Sequence, residues 1–149
     1  MIGKSFPEYV NSGIEYYLKK IKHFNDIEWV EIVPKKKADD IETVKKIEFE
    51  AIEKYLDSSD LIILLDDKGK HYTSEAFSEF IDKFQSQSVK RMVFIIGGAF
   101  GFDRRLYDMA GGKLSLSTMT FSHQIIRIIF LEQLYRGFTI IKGIPYHNA

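Results

Sequence analysis

Three stretches of the sequence carry residue types that could hold a ligand or move a proton. Gly97-Gly98-Ala99-Phe100-Gly101 follows one apolar run, and Leu64-Leu65-Asp66-Asp67-Lys68-Gly69 closes another. Leu114 to His123 (LSLSTMTFSH) mixes small hydroxyl residues with short apolar ones. Glycines permit positive φ and let a backbone come close to a ligand or another chain segment. This glycine run is not G-x-G-x-x-G and lacks the Lys-Ser/Thr of a P-loop, which argues against a dinucleotide fingerprint. A tight turn without any ligand is the competing reading. In LSLSTMTFSH, backbone groups could bond the edge of a purine while Leu116, Met119 and Phe121 enclose its faces. Thr120 or Ser122 capping the helix that follows is compatible with that role. Asp66-Asp67 could pass for a phosphotransfer or hydrolytic carboxylate pair, but Lys68-Gly69 beside them predict a solvated turn.

Other candidates lie further on. His123 and Arg127 are four residues apart, as are Glu132 and Arg136, so on a helix each pair shares a side. A structural ion pair is the plain reading of Glu132 with Arg136. The tail, Gly143-Ile144-Pro145-Tyr146-His147-Asn148-Ala149, follows a strongly apolar helix, and its proline stiffens it enough to fold back over a site. No two histidines have metal-ligand spacing with carboxylates, so no metal is expected. With no cysteine there is no thiolate ligand, Cys nucleophile or disulfide. No Ser-His-Asp arrangement specific enough for nucleophilic catalysis is present.

The apolar period predicts the elements that position these residues. Glu8 to His23 places Tyr9, Val10, Ile14, Tyr17, Leu18 and Ile21 on one helical face. Ile27 to Val33 alternates like a half-buried strand ended by Pro34. Asp39 or Asp40 caps a helix running to about Leu56, with Asp39 and Glu42 spaced as a capping box. Leu61–Leu65 and Met92–Ile96 are short continuous apolar runs, as expected of strands covered on both faces. Thr73–Gln85 reads as a helix between them, with Ala76, Phe77, Phe80, Ile81 and Phe84 as its stripe. A short helix at Arg104–Met109, a short strand near Leu114–Leu116 and a long helix from Ser122 to Arg136 follow. Strands alternating with helices imply an α/β fold with a mostly parallel sheet. In such a sheet, ligands bind beyond the carboxyl ends of the strands, which is where the three stretches fall. The last helix is apolar nearly all round, hence buried centrally or against a partner subunit, and in 149 residues the subunit interface is favoured. Met1-Ile2-Gly3-Lys4 has the look of a strand's last residues; the chain starts with a turn, or its start site is placed a few residues late.

Composition bounds the function classes. Apolar residues make up 45% of 149, and 21 basic groups balance 21 acidic ones, which excludes a disordered chain, a polycation and an acidic tail protein. Length and the absence of linkers or repeats predict one domain over residues 1–149. No apolar run reaches the roughly 18 residues of a membrane span, and the start lacks a signal-peptide stretch, so a soluble, cytoplasmic protein is expected. The zero net charge is uneven: residues 38–82 carry five basic and thirteen acidic groups, whereas residues 104–149 carry six and two. The carboxy-terminal third therefore suits a polyanion while the middle repels one.

The run LSLSTMTFSHQIIRIIFLEQLYRGF followed by PYH resembles the bacterial SPOUT-class methyltransferases of the RlmH family. LLDDKGK, FIIGGAFG and the opening IGK…YVNSGIEYYLKK fit the same family in the same order, so the resemblance covers nearly the whole chain. It implies an α/β fold whose mostly parallel sheet, flanked by helices, carries a C-terminal trefoil knot. It also implies a homodimer that binds S-adenosylmethionine in the knot, close to the subunit interface, and methylates N3 of a pseudouridine in helix 69 of 23S rRNA. Carried over by motif, the cofactor contacts are Leu65, Gly97, Leu116, Ser117, Thr118, Met119, Thr120 and Phe121. The family's polar positions match His123, Arg127, Glu132, Gln133, Arg136, Tyr146 and His147, of which His123 and Arg127 are expected to contact RNA. The chain departs from the family at Ala99-Phe100, where a proline or polar pair is usual. It departs again at Ser122, which replaces a frequent proline, and at its start, where a strand without its opening would expose a central hydrogen-bonding row and so favours a truncated start.

With that resemblance, Arg136, Tyr146 and His147 are the expected catalytic groups. Arg136 would stabilise a deprotonated imide or anchor a phosphate, and Tyr146 and His147 would contact the target base. His147 would relay the proton, since an unperturbed imidazole titrates near 6.5. A charge excess of four in the carboxy-terminal third is modest for tight RNA binding, so a preassembled ribosome or large subunit is the expected substrate. Two other classes compete: a ribosome-binding module that keeps the fold without catalysis, and a flavodoxin-like nucleotide-binding regulator without a knot.

Overall fold

The structure is a computed structural model that describes residues 1–87 and 89–146. Three parallel strands form its sheet: β1 (Leu61–His71), β2 (Met92–Ile96) and β3 (Gly112–Ser115), in the order β2-β1-β3. The helices are α1 (Glu8–Ile21), α2 (Ile41–Ile52), α3 (Ser74–Ser86), α4 (Arg104–Met109) and α5 (Ile125–Ile141), with a 3₁₀ turn at Glu53–Tyr55. Alternation along the strands divides the core in two. Ile63, Leu65, Phe94 and Ile96 face a layer of α1, α3 and α5. Ile62, Leu64, Val93 and Ile95 face Phe49 and Ile52 of α2 and Leu106 of α4. Both faces of the sheet are thus covered, as the unbroken apolar runs require.

Of the two expected caps of α2, Asp40 serves, and Glu42 pairs with Lys45 in place of a capping box with Asp39; Thr73, expected inside α3, caps it. Asp40 Oδ1 accepts the Thr43 N–H at 2.8 Å and Thr73 Oγ1 accepts that of Ala76 at 3.2 Å, each satisfying a donor that the first turn leaves free. Val10, Ile14 and Ile21 are buried on α1, while Tyr9 of the expected stripe points outward.

Three expectations need correction. Leu61–Leu65 does not end the first strand. Leu65 and Lys70 both pair with Leu114, so Asp66–Gly69 is looped out of a strand that resumes and runs to His71. Gly69 makes this possible, because a Cβ there would lie 2.6 Å from the Leu114 carbonyl carbon. The run Ile27–Val33 contributes a single bridge, Ile32 with Ile2, because the sheet beside it is formed by residues 1–3. Ile2 N–H donates to Ile96 O at 3.1 Å, and Ile32 N–H donates to Met1 O at 2.8 Å, so Met1–Gly3 lies between β2 and residues 30–32. Beneath it a cavity of about 1180 Å³ separates β2 from residues 27–30, on the side of the strands' amino ends. Finally, α5 starts at Ile125 and runs to Ile141. It packs between α1 and α3, which buries Phe130, Leu131, Leu134 and Phe138.

Candidate active site

The strand register assembles the site. Leu65 of β1 lies opposite Ile96 of β2 on one side and Leu114 of β3 on the other. Gly97 follows Ile96 directly, and Leu116 follows Leu114 by two residues. The glycine loop, the β1 bulge and the hydroxyl-rich loop therefore leave three adjacent strands at one edge, as expected for ligand loops of a parallel sheet.

The glycine loop is tightly shaped. A Cβ on Gly97 would meet the Phe102 ring at 2.8 Å, so the close packing demands glycine. Gly98 bridges Gly101, whose φ of +76° is a conformation that L side chains rarely adopt. Asp103 then caps α4, its Oδ1 accepting the Arg105 N–H at 2.9 Å. The Arg105 guanidinium bonds the same carboxylate and holds its carboxyl well down, at about 2. In the neighbouring bulge, Asp66 is half-buried rather than solvated. It accepts the Lys68 N–H at 2.8 Å and the Tyr107 O–H at 2.6 Å. Burial and that carboxylate push the Tyr107 phenol up to about 12.

The hydroxyl-rich loop holds itself in shape. Ser115 Oγ donates to Ser117 O at 3.0 Å, and Ser117 Oγ accepts the Met119 N–H at 2.9 Å. Ser122 Oγ accepts the Ile125 N–H at 3.3 Å, so the capping reading holds for Ser122. Leu116 packs against the core, whereas Met119 is 73% exposed and Phe121 42%. Thr118 and Thr120 are exposed as well. A small cavity of about 40 Å³ sits below, lined by Tyr72, Thr73, Leu116 and Gln133 among others.

Gln133 links this edge to the tail. Ser74 Oγ donates to its Oε1 at 3.4 Å, and its Nε2 donates to Glu132 Oε2 at 2.6 Å. Glu132 Oε1 in turn accepts Arg136 Nη2 at 2.6 Å and Nε at 3.1 Å. The Tyr146 O–H donates to the same oxygen at 3.3 Å, and the Arg136 guanidinium lies 4.9 Å from the Tyr146 ring centre. Tyr135 packs edge-on against Tyr146 at 4.8 Å, and Lys20 of α1 caps both rings. Burial, with the bond to Tyr17, raises the Tyr146 phenol far above its ordinary range. The chain folds back on α5 as far as Tyr146, and the expected ion pair is formed within a larger cluster. The family resemblance matches Gln133 as one of the family's polar positions, and the structure adds its link between Ser74 and Glu132.

Arg127 needs correction as an RNA contact. It is fully buried; Nε donates to His123 O at 2.9 Å, Nη1 to Ser5 Oγ at 2.7 Å and Nη2 to Ile2 O at 3.0 Å. Ser5 also donates to the Glu31 carboxylate. Arg127 thus ties the amino-terminal segment to α5, and no phosphate can reach it. His123 is exposed, and His147 lies outside the described residues. Among the described residues, no group of three histidine or carboxylate side chains could hold a metal, and no helix is long and apolar enough to cross a membrane.

Comparison with known proteins agrees with this arrangement. Residues 1–147 match the family described as predicted SPOUT methyltransferase. The chain is 43% identical over 150 residues to the ribosomal RNA large subunit methyltransferase H of Christiangramia forsetii, covering 99% of this chain and 95% of the relative. It is 43% identical over 148 residues to the protein of that name in Cytophaga hutchinsonii, covering 99% and 96%. The one from Flavobacterium johnsoniae is 42% identical over 155 residues, covering 99% and 95%. With a parallel sheet whose glycine and hydroxyl-rich loops meet at one edge, this chain belongs to the SPOUT methyltransferase family.

Proposed function

We propose that the protein is an S-adenosylmethionine-dependent methyltransferase of large-subunit ribosomal RNA, acting on N3 of a pseudouridine in helix 69. The observation that carries this reading is the register Ile96–Leu65–Leu114, which gathers the loops matched to the family's cofactor contacts. The residues fit that cofactor: Leu116, Met119 and Phe121 offer apolar surface for a purine, beside a glycine loop whose Gly97 is fixed against Phe102. Leu65, Gly97 and Leu116–Phe121 would hold it, in a loop threaded as a trefoil knot. When bound, S-adenosylmethionine supplies an electrophilic sulfonium methyl.

The chain's own residues then have three tasks. The loops align the reactants, which is worth roughly 7–11 kcal/mol in favourable cases. The imide N3 is protonated at neutral pH, so a cation stabilising its anion lowers the barrier. Arg136 provides that charge, aimed by Glu132, while Tyr146, which stays protonated and donates to Glu132, contacts the target base. His147 takes the N3 proton. His123 contacts RNA from its exposed position at the start of α5.

A homodimer is part of the proposal. Phe6, Tyr9, Tyr16, Met119 and Phe121 are exposed, and a second copy would cover such surface and complete the cleft. The acidic middle segment discourages non-specific RNA binding, which favours an assembled ribosome in the cytoplasm as substrate. The test is incubation with labelled S-adenosylmethionine and ribosomes lacking the modification, followed by mapping of the label. Label at one pseudouridine of helix 69 is expected. No transfer to ribosomes or subunits would sink the reading, and equal turnover on a short hairpin would remove the ribosome requirement.

A further inference from the structure

The glycine loop is held from outside the sheet by α2. Glu48 lies one residue before Phe49, the ring that α2 buries in the core. Its half-buried carboxylate lies against the Gly98 backbone: a Cβ on residue 98 would meet Glu48 Oε2 at 2.9 Å and Cδ at 3.0 Å, and against burial, which raises its carboxyl, the Gly98 amide draws it down. The same helix grips the far end of the loop. Arg105 stacks 3.9 Å from the Phe49 ring centre while its Nη2 holds Asp103 at 2.8 Å.

We propose that Glu48 is a positioning residue for S-adenosylmethionine, its carboxylate fixing the Gly98 backbone and so the loop that presents Gly97 to the cofactor. This role rests on the methyltransferase reading above. Three of the five residues from Gly97 to Gly101 are glycines, the residue type that loses most conformational freedom when ordered. A loop ordered before the ligand arrives spares binding that cost. A carboxylate suits the task because a charge-assisted bond to an amide is roughly twice as strong as a neutral one. Burial works against the charge and raises the Glu48 carboxyl; the Gly98 amide opposes that shift. Among the described residues Glu48 forms no ion pair, so its charge is directed at the loop.

The experiment titrates S-adenosylmethionine into the full chain and into its Glu48→Ala and Glu48→Gln variants by calorimetry. Amide exchange at Gly98 is followed by NMR in parallel. Glu48→Ala is expected to weaken binding roughly tenfold and to speed Gly98 exchange. Glu48→Gln keeps a carbonyl acceptor and should recover affinity to within about threefold of the unsubstituted chain. A Glu48→Ala protein that binds normally, or a Glu48→Gln protein no better than Glu48→Ala, would overturn the role while leaving the methyltransferase reading intact. An unsubstituted chain that ignores the cofactor would overturn both.

Discussion

Arg127 and Arg136 stand nine residues apart on α5, about two and a half turns, and so project from opposite sides of one helix. Arg127 is enclosed by two carbonyls and a serine hydroxyl, and desolvation lowers its pKa. Arg136 lies among a carboxylate and aromatic rings, and the bond to Glu132 raises its pKa. The first arginine is consumed by the fold, whereas the second is held at the protein's margin by a partner that keeps it charged. A guanidinium's chemistry is therefore decided by what encloses it, which a match to a family's polar positions does not encode.

Substitutions can break this contrast, and the largest effect is expected at Arg127. Arg127→Ala strands Ser5, Glu31 and two carbonyls and should cost about 3–5 kcal/mol, read from urea unfolding. A loss below 1 kcal/mol would show that the buried network does not hold the amino-terminal segment. Next, Arg136→Ala should reduce methyl transfer to ribosomes roughly 10²–10³-fold while lowering stability by only about 1 kcal/mol. An unfolded Arg136→Ala protein, or one with full activity, would erase the difference between the two sites. Tyr146→Phe, which loses one long bond to Glu132, should cost about 0.5–1.5 kcal/mol of transition-state stabilisation, seen as a turnover loss of up to about tenfold.

A smaller effect sharpens the comparison from a third region. The folded chain keeps the Tyr107 proton up to about pH 12, whereas an unfolded tyrosine loses it near 10. Between those values the native state binds more protons, so stability falls as pH rises through that window. Thermal unfolding at stepped alkaline pH should show this limb, and Tyr107→Phe should remove it. The smallest change belongs to the exposed Lys45–Glu42 pair, whose loss in Lys45→Ala should stay within about 0.5 kcal/mol.

Much of the scaffold was legible because it depends on local period and capping. Met92–Ile96 and Arg104–Met109 form with the boundaries read from the chain, and Asp40, one of the two expected caps, caps α2. The misreadings share a cause, which is contact between segments distant in sequence. The first strand continues past Asp66–Gly69 because β3 lies against it and Gly69 permits the approach. The alternation of Ile27–Val33 yields one bridge because residues 1–3 occupy that edge of β2. α5 runs on through Gly137 because Ile81 of α3 packs there, where a Cβ would meet its Cδ1 at 2.9 Å. In the site, the loops were found from glycines and hydroxyls, but Glu48, Tyr107 and the link through Gln133 were not. Each is a polar side chain whose partner lies on another element.

What the chain's own order of residues determined is the class of fold, most element boundaries and the three loops at the sheet edge. These follow from periodicity, glycine and caps, all of which act within a few residues. Only the tertiary structure decided that Arg127 is interior, that Asp66 serves Tyr107, and that α2 braces the glycine loop. Burial and pairing depend on which surfaces meet, and no local pattern encodes how deep a side chain will lie.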